Sequence, residues 1–242
     1  MFHRIRRKLK EALARFKRHP PVGWVRFGSL RRLQPVSRKF GYDRGTPICR
    51  YYIETFLNGR KNDIRGRVME IRNSHYTLKF GENRVHARDV LDIDATNPKA
   101  TFVADLTDAG HVPSDLFDCI ICTQTLQMIY DVRTAVSHLY RMLKPGGVLL
   151  VTTHGNGQLD PDGTYCDHWR FTAASARRLF AEFFPADNME VKSHGNVFAL
   201  VSSLEGLAFE ELRNEELDYH DPLYEVIITV RAVKPHPWSA LR

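Results

Sequence analysis

The stretch FDCIICTQTLQMIYDVRTAVSHLYRMLKPGGVLLVTTH, residues 117–154, holds a strand, a helix and a second strand in succession. Residues 117–124 are apolar except at their ends, as is typical of a central parallel strand covered on both faces. Residues 131–143 have the apolar spacing of a helix, and the sequence KPGG ends it. Residues 146–154 form the next apolar run. Because parallel strands need a crossover between them, this order predicts a β–α–β unit.

Further apolar runs extend this alternation in both directions. The additional strands are predicted at 67–71, 84–91, 100–106, 189–195 and 224–233. The additional helices are predicted at about 47–57, 172–184 and 199–217. Strands separated by helices or crossovers require a doubly wound, mostly parallel sheet, so the predicted fold class is α/β of the Rossmann-like type. In such sheets, ligands bind at the carboxyl ends of the strands.

The charge of the chain is concentrated at its amino end. The 242 residues include 35 Lys and Arg against 28 Asp and Glu, a net charge of +7. Residues 1–19 hold eight of these cations and a single acid, so this segment alone equals the net charge. A nucleic-acid-binding core more often carries its basic patch in the folded body, so nucleic acid is not an expected partner. The composition excludes collagen-like, disulfide-scaffold and disordered proteins, and no apolar run has the ~18 residues of a membrane span.

The basic segment 1–19 is predicted to be an amphipathic helical arm. Its apolar residues recur every three or four positions and form one narrow stripe: Phe2, Ile5, Leu9, Leu13 and Phe16. A helix of this kind lies in the plane of an anionic membrane surface, which predicts a peripheral contact at the inner membrane face. Alternatively, the stripe packs on the protein's own body or on a second subunit, or the segment is an organelle presequence.

The four cysteines bear on the cellular compartment, and their spacing does not indicate a metal site or a disulfide. Cys119 and Cys122 form a C-x-x-C sequence, but they lie three residues apart on the strand at 117–124. Their side chains therefore point to opposite faces and cannot share a metal ion or a disulfide. No metal site is predicted. Free thiols, and the lack of an apolar signal-peptide core after the basic start, predict a reducing cytoplasm.

Polar residues stand where the predicted strands end. The first three strands end in acids at Glu70, Asp89 and Asp105, and the fourth ends in Thr123-Gln124. A carboxylate after the second strand can accept both hydroxyls of a ribose, and one after the third can receive an exocyclic amine. A single acid in such a place more often caps a helix or lies in a turn. The ordered set of three favours one shared ligand crevice.

Five stretches between Gly66 and His154 match a known family. They are VMEI, RVHARDVL, FVADLTD, FDCIICTQTLQMI and LYRMLKPGGVLLVTT. In these stretches the chain resembles the class I S-adenosylmethionine-dependent methyltransferases, which implies a seven-stranded sheet and S-adenosyl-L-methionine as the cofactor. The stretches FGYDRGTPICRYYIETFL at 40–57 and HWRFT at 168–172 resemble a bacterial subgroup found beside glycosyltransferases. That resemblance implies a role in surface-polysaccharide biosynthesis.

The resemblance covers about residues 40–233, and three segments are expected in the whole chain. Residues 1–19 form the basic helix. Residues 20–60 form a connector and a helix that covers the cofactor site, and residues 61–235 form the methyltransferase-like domain.

The resemblance also assigns the cofactor contacts. Asp89 is placed as the ribose-binding acid, with Asp92 and Asp94 close enough to compete for that role. Asp105 and Leu106 would flank the adenine. The remaining expected cofactor contacts are Glu70, Arg72, Thr123 and Gln124.

The loop after the first strand departs from the family's E-x-G-x-G-x-G pattern. Residues 70–76 are EIRNSHY and contain no glycine. Glycine permits a positive φ and lets the backbone approach the cofactor. Asn73 tolerates a left-handed conformation, whereas Arg72 would be strained in one. Arg72 therefore turns outward, or binds the cofactor carboxylate, or the site has lost its cofactor; retained binding is the favoured outcome.

The loop at 154–170, after the fifth predicted strand, is expected to face the substrate. His154 and His168 are candidate general bases, and Asp167 is a candidate to orient His168. The candidate substrate-binding residues are Tyr165, Trp169 and Arg170.

Residues and resemblance together predict O-methylation of a sugar hydroxyl in a glycan or its precursor. Two alternatives stay open. A catalytically silent methyltransferase-like interaction module would account for the missing glycines, and an RNA methyltransferase would use the basic arm for phosphates. The second is weaker, because Cys122-Thr123-Gln124-Thr125 stands where amine-methylating enzymes have an N-P-P-Y-like tetrad.

Overall fold

The computed structural model divides the chain into two units, Met1–Pro35 and Val36–Arg242. The residues that it describes are 6, 7, 10, 20–160 and 166–236. In the first unit, Arg6, Arg7 and Lys10 are helical and exposed, and the rest of the predicted basic arm lies outside the described residues. Residues 20–35 contain turns, bends and a short 3₁₀ helix at Gly28–Leu30.

Seven strands of the second unit, among its described residues, form one sheet in the order β3-β2-β1-β4-β5-β7-β6. They are β1 Gly66–Ile71, β2 Val85–Asp92, β3 Phe102–Val103, β4 Phe117–Thr123, β5 Leu143–His154, β6 Met189–His194 and β7 Ile227–Val233. β1 to β5 pair in parallel, and β7 runs antiparallel to both β5 and β6. The predicted α/β class and the mostly parallel, seven-stranded sheet are confirmed.

Six α-helices accompany this sheet among the described residues of the second unit. They are α1 Ile48–Gly59, α2 His75–Gly81, α3 Val132–Met142, α4 Ala173–Phe180, α5 Val197–Leu204 and α6 Asn214–Asp218. Short 3₁₀ helices lie at Glu82–Arg84, Leu126–Met128, Ala186–Asn188 and Phe209–Glu211.

The helices cover both faces of the sheet. α3 and α4 pack on one face, where Phe180 and Cys122 belong to one buried apolar cluster. α1 and α2 pack on the other face, where Tyr76 and Cys119 belong to a second cluster. The two cysteines of the C-x-x-C sequence therefore lie on opposite faces, as predicted, and both are free thiols.

Several predicted boundaries are wrong. The helix predicted at 199–217 is broken into α5, a 3₁₀ turn and α6, because Gly206 adopts a φ of +69°. A Cβ atom at Gly206 would lie 2.2 Å from the carbonyl oxygen of Ser37, so the chain turns where these two backbones meet. The third strand is reduced to two residues, and α4 ends at Phe180, before the predicted residue 184. α2 was not predicted at all.

A third apolar cluster joins α1 to α5, α6 and the start of β7. Its buried members include Ile48, Tyr52, Ala199, Leu217 and Ile227. The Tyr52 hydroxyl donates a hydrogen bond to the carbonyl oxygen of Leu217 at 3.0 Å. This cluster holds α1 in place, and α1 contributes side chains to a cleft at the carboxyl ends of the parallel strands.

Asn196 connects the helices of this cluster. Its side-chain oxygen accepts hydrogen bonds from the backbone amides of Phe198 and Ala199, both at 3.0 Å, and so caps the amino end of α5. Its side-chain amide donates to the carbonyl oxygens of Glu216 and Tyr219, both at 2.7 Å. One buried side chain therefore links the start of α5 to α6.

Replacing Asn196 with alanine should lower the free energy of unfolding by about 2–3 kcal/mol. The loss combines an N-cap of about 1 kcal/mol with two carbonyl groups that lose their donor. Urea unfolding followed by circular dichroism measures the change. Asn214→Ala, at an exposed position in α6, is the matched control and should change stability by less than about 0.5 kcal/mol. Equal stability of Asn196→Ala and the wild type would contradict this assignment.

Candidate active site

A cleft of about 1070 Å³ opens at the carboxyl ends of the parallel strands. Its floor comes from the ends of β1, β2 and β4 and from the loop after β3, and α1 and the residues before it supply the opposite wall. Six of the seven expected cofactor contacts line it: Glu70, Arg72, Asp105, Leu106, Thr123 and Gln124. The cleft therefore lies where ligands bind in open α/β sheets, at the carboxyl ends of the strands.

Glu70 is the next-to-last residue of β1, lines the cleft and organises the loop that follows. Its carboxylate is buried and accepts hydrogen bonds from the amides of Tyr76 and Thr77, at 3.1 and 2.8 Å, and from the Thr77 hydroxyl at 2.8 Å. Burial raises the pKa of Glu70, and the bonds from Thr77 and Tyr76 oppose that rise. The carboxylate thereby holds the amino end of α2, a short helix that sequence periodicity does not reveal.

Arg72 takes a left-handed backbone conformation, which glycine adopts more readily than arginine. Its φ is +72°, whereas Asn73, the residue expected to tolerate this region better, does not adopt a positive φ. The Arg72 amide donates to Leu91 O at 2.8 Å, and its carbonyl accepts from Asn97 Nδ2 at 2.8 Å. Such a conformation costs a non-glycine residue roughly 1–2 kcal/mol. These two bonds to the end of β2 and the loop after it keep the strained residue in place.

Asp89 is the one expected cofactor contact that does not line the cleft. It lies within β2, opposite Met69, and the strand continues to Asp92. Its buried carboxylate accepts hydrogen bonds from Arg67 Nε at 2.7 Å and Arg67 Nη2 at 3.1 Å. The prediction that Asp89 ends the second strand is therefore wrong, since the apolar run does not reveal where strand pairing stops.

Asp92 occupies the position at the end of the second strand that the sequence analysis assigned to Asp89. It ends β2 and lines the cleft. One of its carboxylate oxygens accepts from Asn97 Nδ2 at 2.6 Å, and the other accepts from the Asp94 amide at 3.1 Å. These bonds fix the orientation of the carboxylate, and each oxygen retains further capacity to accept.

The loop after β3 forms the next part of the wall. Asp105 accepts hydrogen bonds from the amide and the hydroxyl of Thr107, both at 2.8 Å, and this turn places Leu106 beside Ala104. Leu106 and Ala104 are buried apolar side chains that line the cleft, so this end of the cleft offers apolar contacts next to a carboxylate.

Arg50 of α1 forms the opposite wall, and the sequence prediction missed it. Arg50 Nη1 donates to the hydroxyl of Tyr76, and its Nε and Nη2 donate to the hydroxyl of Tyr42 at 3.3 and 3.1 Å. All three residues line the cleft. Arg50 lies within the stretch at 40–57 that carries a family resemblance, but nothing in the sequence pairs it with a tyrosine 26 residues away.

Gln124 presents an unsatisfied polar atom at the cleft. Its backbone N–H donates to Thr152 O at 2.8 Å, and its side-chain Nε2 donates to Thr152 Oγ1 at 3.1 Å. These two bonds hold Gln124 in a conformation with a φ of +51°. Its Oε1 is buried and has no hydrogen-bond partner among the described residues. A buried carbonyl without a donor costs about 1–3 kcal/mol. A ligand that donates a hydrogen bond at this point would remove that cost.

The segment after β5 packs beside the mouth of the cleft. Trp169 Nε1 donates to the carbonyl oxygens of Ile129 and Tyr130, at 3.0 and 3.2 Å. The Trp169 ring stacks on Tyr130 at 5.8 Å between centroids, and the His168 ring meets Tyr130 edge-on at 5.6 Å. Tyr130 lines the cleft and is 72% exposed, so it links this segment to the cleft.

The structure pairs Asp167 with Arg170 and not with His168. Asp167 Oδ2 accepts from Arg170 Nη2 at 3.0 Å and from the Asp160 amide at 3.3 Å. Arg170 also donates to the carbonyl oxygens of Gln158 and Trp169, so its guanidinium bonds within the segment. Asp167 and Arg170 thus shape the loop, since both side chains are already engaged there. Tyr165 lies outside the described residues.

His154 ends β5 behind these residues and does not line the cleft. Burial lowers the pKa of His154 to about 4, and the positive charge of Arg170 adds to this effect. The imidazole is therefore neutral at pH 7 and a weak base.

A family model described as a methyltransferase domain matches residues 32–203, and the chain belongs to that family. Over 94 residues, the chain is 30% identical to the ubiquinone/menaquinone biosynthesis C-methyltransferase UbiE of Pectobacterium carotovorum subsp. carotovorum (strain PC1). That match covers 39% of this chain and 35% of the relative.

Two further proteins are similar. Over 87 residues the chain is 33% identical to the malonyl-(acyl-carrier protein) O-methyltransferase of Paenibacillus sp. (strain JDR-2), covering 36% of this chain and 26% of that one. The chain thus spans about a third or less of the length of the curated relatives it matches. The S-adenosylmethionine dependent methyltransferase from Mesorhizobium loti shares the fold, with a TM-score of 0.50 and 17% identity over 74% of this chain and 96% of that chain.

The residues of the cleft fit S-adenosyl-L-methionine, the cofactor of this methyltransferase family. The cofactor offers a carboxylate, an ammonium group, a ribose diol and an adenine amine. The cleft offers cations at Arg50 and Arg72, carboxylates at Asp92 and Asp105, and the unsatisfied oxygen of Gln124. The loss of the loop glycines therefore leaves a complementary set of charges and hydrogen-bonding groups in place.

Asp92→Ala should weaken binding of S-adenosylhomocysteine about 10- to 150-fold. Loss of the charge-assisted hydrogen bonds between the Asp92 carboxylate and the ribose hydroxyls should cost about 1.5–3 kcal/mol of binding free energy. Isothermal titration calorimetry measures the dissociation constant. Asp89→Asn is the control, because Asp89 lies outside the cleft, and it should leave the constant unchanged. A larger loss in Asp89→Asn than in Asp92→Ala would return the ribose contact to Asp89.

The stability of the folded chain should fall as the pH drops from about 6.5 toward 4. Burial lowers the pKa of both His154 and His194 to about 4, so the unfolded chain, with its higher histidine pKa, binds these protons more tightly. Each histidine should cost roughly 2 kcal/mol between pH 7 and pH 5. Urea unfolding at the two pH values measures this. His154→Gln and His194→Gln should each remove part of the pH dependence, and an unchanged dependence in both would refute the assignment.

Proposed function

We propose that this chain transfers a methyl group from S-adenosyl-L-methionine to a hydroxyl group of a sugar, in a glycan or its precursor. The observation that carries this proposal is the aromatic surface at the mouth of the cofactor cleft. Tyr130 and Trp169 stack there, and Trp169 is anchored by two hydrogen bonds to backbone carbonyls. A rigid aromatic face of this kind packs well against the C–H groups of a sugar ring and leaves its hydroxyls free to form hydrogen bonds.

The proposed cofactor contacts follow from the cleft. Asp92 would accept the ribose hydroxyls, and Asp105 and Leu106 would flank the adenine. Arg50 would bind the carboxylate, because two tyrosine hydroxyls already hold its guanidinium in position. The Oε1 atom of Gln124 would accept a hydrogen bond from the ammonium group or from the acceptor. When bound, S-adenosyl-L-methionine supplies an electrophilic methyl group on a sulfonium centre.

The proposed general base is His168. A sugar hydroxyl must lose its proton as it accepts a methyl group, so a base within reach is required. His154 has a pKa of about 4, and Asp167 is engaged by Arg170. His168 is exposed and lies against Tyr130, the residue that connects the loop to the cleft. Tyr130 would position the acceptor, and alignment of the two reactants supplies much of the rate.

The contact of residues 1–19 with an anionic membrane surface stays a prediction, because their apolar stripe lies outside the described residues. Among the residues that the structure describes, no helix is both long and apolar enough to cross a bilayer.

A methyl-transfer assay tests the proposed function. The protein is incubated with S-adenosylmethionine carrying a tritiated methyl group and with one acceptor class at a time: nucleotide sugars, demethylated quinone precursors, or malonyl-acyl-carrier protein. Label on a sugar oxygen is the expected result, and Asp92→Ala serves as the control with weakened cofactor binding. Label on a quinone carbon or on the malonyl carboxyl would replace the sugar with that acceptor. No binding of S-adenosylhomocysteine at millimolar concentration would indicate a silent domain.

His168→Ala should lower turnover of the labelled acceptor about 10²- to 10⁴-fold, as expected for the loss of a general base. The affinity for S-adenosylhomocysteine should stay unchanged, because His168 is not part of the cofactor wall. His154→Gln, which removes a weak base outside the cleft, is the matched control and should retain most of the turnover. Full activity in His168→Ala would exclude this histidine from the mechanism.

A further inference from the structure

Residues 21–33 of the first unit carry large apolar side chains that are exposed to solvent. Val22 and Leu33 are fully exposed, and Trp24, Val25 and Phe27 are each about half exposed or more. Exposed apolar side chains are ordinary when they occur singly. Five of them within twelve residues form a concentrated apolar surface, which is typical of a binding site.

Two turns give this segment a defined backbone. The Trp24 amide donates to Pro21 O at 3.0 Å, closing a turn in which Gly23 adopts a φ of +84°. Glycine is the residue that this turn position favours, and the turn places Val22 at its tip. The 3₁₀ helix Gly28–Leu30 follows, with the Leu30 amide donating to Phe27 O at 3.0 Å. The apolar side chains are therefore displayed from turns with fixed hydrogen bonds.

Cations alternate with these apolar residues. Arg26, Arg31 and Arg32 are exposed, and residues 20–42 contain five Lys and Arg and no acid. A surface that combines exposed apolar groups with uncompensated positive charge is complementary to a partner that offers both hydrocarbon and negative charge.

We propose that residues 21–33 bind the surface of an anionic phospholipid bilayer. Tryptophan and phenylalanine favour the membrane interface, where the ring reaches the acyl region and the polar edge stays at the headgroups. Arginines at that depth pair with anionic headgroups. A nucleic acid would match the charge, but it offers no apolar phase for the aliphatic side chains of Val22, Val25 and Leu33. The lipid surface is the partner that uses every exposed feature of the segment.

This inference does not depend on the proposed methyl transfer. It also stands apart from the predicted arm at 1–19, because it uses only residues that the structure describes. The segment lies between that arm and the second unit in sequence, so a basic and apolar membrane contact would extend from the predicted helix into residues 21–33.

The test is co-sedimentation of the full-length protein with phospholipid vesicles. Vesicles of phosphatidylcholine with 30% phosphatidylglycerol should bind the protein, binding should weaken as salt rises, and vesicles of phosphatidylcholine alone should bind much less. Arg31→Gln with Arg32→Gln should weaken binding roughly tenfold to thirtyfold. Trp24→Ala with Phe27→Ala should weaken it at least tenfold.

Matched controls keep the test specific. Lys61→Gln with Arg178→Gln removes two exposed cations from the second unit, and Tyr219→Ala with Leu223→Ala removes two exposed apolar side chains there. Both control proteins should bind vesicles as the wild type does. Circular dichroism and the affinity for S-adenosylhomocysteine should be the same in all variants, which shows that each one is folded.

Tryptophan fluorescence gives an independent measurement. The chain has three tryptophans, at 24, 169 and 238. Anionic vesicles should shift the emission to shorter wavelength, and Trp24→Phe should remove most of that shift. Unchanged vesicle binding in both pairs of segment variants would overturn the proposal, and so would binding to single-stranded RNA with none to vesicles.

Discussion

The buried carboxylate of Glu70 is the interaction on which the cleft depends. It accepts three hydrogen bonds from Tyr76 and Thr77, and these bonds decide where β1 stops and where α2 begins. The same contact fixes the position of Tyr76, whose hydroxyl in turn accepts from Arg50 of α1. The floor and the opposite wall of the cleft are thus joined through one acid. Burial raises the pKa of this acid, and the donated hydrogen bonds are what keep the carboxylate form accessible.

The loop that Glu70 closes shows how a glycine-rich backbone can be replaced. Arg72 keeps the positive φ that glycine would provide without strain. Hydrogen bonds to Leu91 and Asn97 hold it there, so the backbone follows the required path because of its partners and not because of its residue type. As a consequence, an exposed guanidinium group lies at the cofactor cleft, where glycine would have no side chain. In this protein the loop therefore has a residue with positive φ although it lacks the glycines of the E-x-G-x-G-x-G pattern.

Periodicity predicted the parts of the fold in which a long element is buried on a regular pattern. β4 has apolar residues on both faces and α3 has an apolar stripe, so their types and order followed from the sequence. α2 escaped prediction because its seven residues depend on Glu70, and the break at Gly206 depends on a contact with Ser37, 169 residues earlier. In the site, six cofactor positions were placed at the cleft. The prediction chose Asp89 over Asp92, because the end of a strand is set by its pairing and not by its apolar residues. Arg50 was missed because its partners are distant in sequence.

The sheet order has a consequence for the synthesis of the chain. β6 is made before β7, yet β7 is its neighbour in the sheet and separates it from β5. A ribosome adding about 5–20 residues per second needs roughly two to seven seconds to extend the chain from the end of β6 to the start of β7. During that time β6 has no place in the sheet, and β5 presents an unpaired edge with free amide and carbonyl groups. The nascent protein therefore passes through a stage in which the edge of β5 that β7 later covers is still open.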